Sequence, residues 1–132
     1  MIRQIGLANA YFTVQDRALA YYVETLGFET ISDTMLDGYR WIEVAPPGAE
    51  TGMTLVYVGP GTAWEHNVGG FAPLMFCDDL RRTCREYEAR GVKFAEGPTE
   101  YPWGLQAMLR DPDGNTIVLT ERAALRQPPQ IE

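Results

Sequence analysis

The chain has 132 residues, with 18 acidic against 11 basic side chains and a net charge of −7. That is one domain's worth of chain, and its acidic balance excludes nucleic acid and anionic membrane surfaces as partners while favouring cationic ones. Hydrophobic residues at 45% suffice for a buried core, yet no apolar run approaches the roughly 20 residues of a membrane helix, and Met1-Ile2-Arg3-Gln4 lacks the layout of a signal peptide.

In chain order, Ala8–Val14 reads as a strand and Asp16 as the N-cap of a helix. Leu19, Tyr22, Val23 and Leu26 then form an apolar stripe at helical spacing, and Gly27 ends the helix. Phe28–Ser32, Tyr39–Ala45 and Met53–Val58 read as strands, separated by turn chemistry at Asp37-Gly38 and Pro46-Pro47-Gly48. A Gly- and Pro-containing stretch from Val58 to Gly70 follows. Phe71–Cys77 is the next strand, with Asp78 or Asp79 capping a helix that presents Leu80, Cys84 and Tyr87 on one face and ends at Gly91. Val92–Ala95, Leu105–Arg110 and Thr116–Glu121 complete the strands, the last two joined by the turn Asp111-Pro112-Asp113-Gly114-Asn115.

The two halves therefore repeat one order, βαβββ. Asn9 and Ala72, and likewise Asp16 and Asp79, stand 63 residues apart. The predicted fold class is α+β, a single domain of two βαβββ modules whose curled mixed sheets form a central cleft. Module one covers about 4–60 and module two about 70–122, with a loosely ordered tail over 123–132 that includes Arg126–Glu132. A unit of about 60 residues cannot bury its sheet face alone, so the modules are expected to pack together.

The segments "TVQDRALAYYVETLGFE", "FCDDLRRTCREYEARGVKF" and "PWGLQAMLRDPDGNTIVLTE" resemble the vicinal oxygen chelate superfamily, which contains glyoxalases, extradiol dioxygenases and bleomycin-resistance proteins. The resemblance spans roughly residues 5–122, and "EYPWG" is similar to a feature of the bleomycin-resistance branch. It implies the cleft fold named above and a homodimer. Metal-dependent members place one His or Glu ligand on each of four cleft strands. Carried over position by position, those places are Asn9, Ala72, a residue within Thr54-Leu55-Val56-Tyr57-Val58, and Val118. Ala and Val offer no donor and Asn a weak one, so no metal and no cofactor is expected. A shift of register by one brings Glu43 or Glu121 nearer without completing a set.

If Asn9 faces the cleft, Tyr11 and Thr13 share its face by strand alternation. Trp41 and Trp103 are flat surfaces that either stack on a planar or cationic ligand or pack in the core or at a dimer interface. Phe76 continues the Ala72 face, Val118 carries the last strand's face, and Val56 adds an apolar wall, with Glu43 and other acids supplying a negative rim. His66, the one histidine, lies in the linker beside Glu65, either as a general base or as a plain loop residue. Cys77 and Cys84 form neither a CxxC nor a disulfide framework and fit reduced thiols in a cytoplasmic protein. The expected function is a small-molecule-binding protein that sequesters a cationic or aromatic antibiotic in a dimer cleft without a metal. The alternative is a glyoxalase-like lyase, isomerase or dioxygenase, whose metal-free form would pair Tyr11 or Tyr57 with Glu43.

Overall fold

The structure is a computed structural model and describes residues 1–123. Two compact units are present, one built from Met1–Phe71 with Asp111–Asn115, the other from Ala72–Arg110 with the chain from Thr116 onward. Of the predicted tail, 123–132, all but residue 123 lies outside the described residues.

In the first unit, β1 (Leu7–Phe12) leads into α1 (Gln15–Ala20), which widens into a π-helical turn over Tyr21–Thr25. β2 (Glu29–Leu36), β3 (Tyr39–Ala45) and β4 (Gly52–Tyr57) follow. The sheet order is β1-β4-β3-β2, with β1 parallel to β4 and the other pairs antiparallel. Alternation sends Ala10, Phe12, Ile42, Val44, Met53 and Leu55 to the side occupied by Ala18, Tyr22 and Leu26, and all of them are buried. The Tyr22 ring meets Phe12 and Phe28 edge-on at 6.0 and 5.5 Å.

Two local readings are corrected here. Asp16 is not the N-cap: Val14 holds that position with no side-chain bond, because the helix begins at Gln15. Asp16 instead receives Arg40 Nη1 at 2.6 Å, while Arg40 also forks onto both oxygens of Asp33 at 2.9 Å. β2 runs on to Leu36, beyond Ser32, because Asp37 (φ 53°) and Gly38 (φ 81°) adopt the left-handed pair of a tight hairpin that keeps β2 zipped to β3.

The Asp111–Asn115 turn is held within the first unit by buried polar bonds. Tyr22 donates its hydroxyl to Asp111 Oδ2 at 2.7 Å, and the Asn115 side chain accepts from the Phe71 N–H at 2.9 Å. Asp113 accepts from Thr13 and pairs with Arg17. Burial raises the pKa of its carboxyl, but the Thr13 and Arg17 bonds outweigh that and hold it below the ordinary value.

The second unit repeats the topology with β5 (Leu74–Phe76), α2 (Leu80–Ala89), β6 (Phe94–Tyr101), β7 (Gly104–Arg110) and β8 (Thr116–Arg122), ordered β5-β8-β7-β6. Asp79 is a true N-cap, accepting from the Arg82 N–H at 3.1 Å. Leu80 and Cys84 are buried with Ala107, Leu109, Ile117 and Leu119. β5 is shorter than predicted, since the Phe71 N–H is bonded to Asn115 and Pro73 has no N–H to contribute to a ladder. β6 is longer than predicted, because irregularities between Phe94 and Glu96 and between Glu96 and Thr99 absorb Gly97-Pro98 without ending the strand. Both units are thus four-stranded mixed sheets with few helices, as the α+β reading of two βαβββ modules requires.

Candidate functional site

Each sheet has one face turned away from its helix. On the first sheet the register aligns Asn9, Thr54 and Glu43 in one row, and Tyr11 with Val56 in the next. Residues opposite each other in register project from the same face, so Asn9, Tyr11, Glu43 and Val56 come together, with Trp41 two residues before Glu43 on the same side of β3. Four of these side chains have defined partners. Thr54 Oγ1 donates to Asn9 Oδ1 at 2.6 Å, and Trp41 Nε1 donates to Glu43 Oε1 at 2.8 Å. The Tyr11 ring stacks on Trp64 at 5.8 Å, with planes 8° apart. Thr13 does not join this group: it lies past the end of β1, and its N–H and hydroxyl both go to Asp113 Oδ2, at 2.8 and 3.0 Å.

On the second sheet, Phe76, Thr120 and Gln106 share one row, and Leu74, Val118, Met108 and Glu96 the next. Phe76 is 59% exposed, and the Arg122 guanidinium lies 3.7 Å above its ring. Trp103, 41% exposed in the turn between β6 and β7, stacks on Tyr101 at 4.8 Å with planes 6° apart. Its indole N–H donates to Gln106 Oε1 at 3.0 Å, and the Tyr101 hydroxyl donates to Glu96 Oε2 at 2.9 Å. That bond raises the pKa of the Tyr101 phenol above its ordinary value. The acid on the Trp103 side is therefore Glu96. Glu100 pairs with Leu105 while Tyr101 pairs with Gly104, so Glu100 leaves the opposite side of the strand. Beside this strand end, a depression of about 570 Å³ is lined in part by Asp78, Glu100, Leu105 and Glu121.

His66 is exposed in a short 3₁₀ turn, and Glu65 Oε2 accepts from the Gly61 N–H at 2.9 Å. Glu43 Oε1 is taken up by the Trp41 indole, and Glu121 Oε1 by the Leu80 N–H at 3.0 Å. Burial, foremost, pushes the Cys77 thiol up to about 11, so it is not a ready nucleophile.

A family model described as the Glyoxalase/Bleomycin resistance protein/Dioxygenase superfamily matches residues 5–119. The chain belongs to this superfamily. Its relative YetH from Bacillus subtilis is 32% identical over 123 residues, covering 92% of this chain and all of YetH. TnmS3, an antibiotic binding protein from Streptomyces sp. CB03234, superposes with a TM-score of 0.82 at 36% identity, over 92% of this chain and 98% of that one. A glyoxalase/bleomycin resistance protein from the same Streptomyces strain gives 0.74 at 38% identity, over 87% and 97%.

Against the metal-dependent members of the superfamily, the four corresponding positions do not fit a divalent ion. Ala72 and Val118 have no donor atom, Asn9 is neutral and accepts from Thr54, the Thr54–Val58 stretch holds no carboxylate or imidazole, and Glu43 is the lone carboxylate in the Asn9 row. Among the described residues no group of three or more His, Cys, Asp or Glu side chains could hold a metal. The sequence alone does not mark Glu96, Tyr101 or Gln106 as site residues. The signal for Tyr101 was its place in "EYPWG"; nothing in "FAEGP" distinguishes Glu96 from a surface acid.

Proposed function

We propose that this chain is a small-molecule-binding protein that sequesters a planar aromatic or cationic compound, of antibiotic type, against the helix-free sheet faces without a metal. The observation that carries the reading is the Trp41–Glu43 pair on a face shared with Asn9, Tyr11 and Val56. An indole braced by a carboxylate offers a flat apolar surface with negative charge at its edge, which suits a flat cation. Asn9 adds a neutral polar group, and Val56 an apolar wall. The antibiotic binding protein TnmS3, similar over nearly the whole chain, supports the same reading. Phe76, Val118 and Trp103 offer a second surface of the same kind on the second sheet, considered by itself.

The test is quenching of tryptophan fluorescence by matched cationic, neutral and anionic polycyclic compounds. Trp41→Ala should weaken binding of the cations by roughly 2- to 30-fold, the equivalent of a stacking contact of about 0.5–2 kcal/mol, and Trp41→Phe should keep part of the affinity. Unchanged affinity in folded Trp41→Ala protein would contradict the site.

The proposal includes a homodimer in the cytoplasm. Among the described residues no helix is long and apolar enough to cross a membrane, and two unbridged cysteines fit a reducing compartment. The outer strand β2 exposes Ile31, Met35 and Leu36, and the outer strand β5 exposes Leu74 and Phe76. Open apolar edges of this kind are covered by a partner strand or surface. Light scattering at micromolar concentration should give about twice 14.8 kDa, and a monomer mass would remove the dimer from the reading.

A further inference from the structure

Two buried polar atoms on the helix-free face of the second sheet have no hydrogen-bond partner among the described residues: Glu96 Oε1 and Thr120 Oγ1. Thr120 is 2% exposed. Groups sealed from water without a partner destabilise a fold, and natural proteins keep few of them. Here both fall on one face. Glu96 stands in the row of Met108 and Val118, and Thr120 in the neighbouring row with Gln106 and Phe76. An aromatic wall, Tyr101 with Trp103 stacked on it, stands directly beside Glu96, because Tyr101 is bonded to its other oxygen.

We infer that this face is a donor-reading subsite for a planar aromatic amine, whose N–H groups are accepted by Glu96 Oε1 and Thr120 Oγ1 while its rings lie against Tyr101 and Trp103. The inference rests on the small-molecule reading above and adds the chemistry by which the second sheet selects among flat compounds. A carboxylate oxygen accepts and does not donate, and with its partner oxygen already receiving the Tyr101 hydroxyl it is set for one further N–H, most favourably a positively charged one. Glu96 and Thr120 are separated by one intervening strand and one step of register, roughly 12 Å between their backbones at ordinary strand spacing. That span suits donors at the two ends of a fused tricyclic system. The acceptors are covered in the free protein, so binding requires a side chain to turn aside. Rotamer changes of this kind are common on binding.

The experiment compares proflavine with acridine orange, the same tricyclic cation with its amine hydrogens replaced by methyl groups. Binding to the full chain is followed by tryptophan fluorescence and by the shift in melting temperature. Proflavine should bind about 10-fold more tightly than acridine orange, as expected for hydrogen bonds to a charged acceptor. Glu96→Gln should weaken proflavine about 10-fold and acridine orange no more than about twofold, and Thr120→Val should weaken proflavine about threefold. Without dye, Glu96→Gln should melt within a few degrees of the parent, because the amide oxygen can still accept the Tyr101 hydroxyl; this separates loss of affinity from loss of fold. Equal binding of the two dyes, unaffected by Glu96→Gln but reduced by Trp41→Ala, overturns the subsite and leaves the small-molecule reading standing. Binding of neither dye overturns both.

Discussion

Replacing Asp111 with alanine should cost about 3–5 kcal/mol of stability, the range for stranding buried partners of a charged group. Four donors converge on this one buried carboxylate. Oδ2 accepts from the Tyr22 hydroxyl at 2.7 Å and from Asn115 Nδ2 at 2.8 Å, and Oδ1 accepts from the N–H groups of Asp113 and Asn115, both at 3.0 Å. Alanine leaves all four without a partner, and Tyr22 and Asn115 are fully buried, so water has no access to replace it. Burial above all, with the Asp111 charge added, raises the Tyr22 phenol far above its ordinary pKa, so Tyr22 remains a donor through the alkaline range. Tyr22→Phe removes a single bond and leaves Asp111 with three donors; about 1–2 kcal/mol is expected. Urea unfolding followed by fluorescence measures both. An Asp111→Ala protein within 1 kcal/mol of the parent would show that the turn rearranges to satisfy its own groups.

The same turn marks a limit of what local sequence conveys. Asp111-Pro112-Asp113-Gly114-Asn115 announces a turn through its residue types, but not that Tyr22 and Thr13, some ninety to one hundred positions earlier, donate to its acids. Alternation alone makes Thr13 a companion of Asn9 and Tyr11, whereas its hydroxyl donates to Asp113. Alternation holds where the strand is regular: Asn9 and Tyr11 on β1 do share a face. On β6 the predicted strand Val92–Ala95 stops short of Glu96, and the irregular register carries the strand on through Gly97-Pro98. Glu96 sits beside that irregularity. Its role depends on which side of the strand it leaves and on the Tyr101 hydroxyl five residues on, neither of which period-2 counting supplies. Asp16 and Asp79 show the same contrast in miniature. Both precede an apolar helical stripe, yet only Asp79 caps: Asp16 already lies inside its helix, where it pairs with Arg40 of β3.

Gly104→Ala should destabilise the chain by about 2–5 kcal/mol, combining backbone strain with overpacking. Gly104 has φ 140°, a conformation that side-chain-bearing residues rarely adopt, and a Cβ built there would collide with the backbone carbonyl oxygen of Glu121 on β8. The neighbouring Ala123 N and Arg122 Cα lie 3.0 and 3.1 Å from the same point, so no flexible side chain can yield to make room. The close approach that this glycine permits is thus one of backbone to backbone, where β7 begins its pairing with Arg122. Relief requires the start of β7 to lift from β8, and Trp103 is the residue immediately before it. The Tyr101–Trp103 stack and the bond from Trp103 to Gln106 should loosen with the hairpin, so the near-ultraviolet circular dichroism of the folded variant should lose intensity as the melting temperature falls by roughly 10 °C. Gly97→Ala on β6 is the matched control: its φ lies outside the left-handed range and nothing stands within 4 Å of its Cβ position. It should be neutral or slightly stabilising, through a less flexible unfolded chain. If Gly104→Ala proves as stable as Gly97→Ala and keeps the aromatic signal, β7 and β8 are not as closely apposed as described, and the platform on which Trp103 is held has been misplaced.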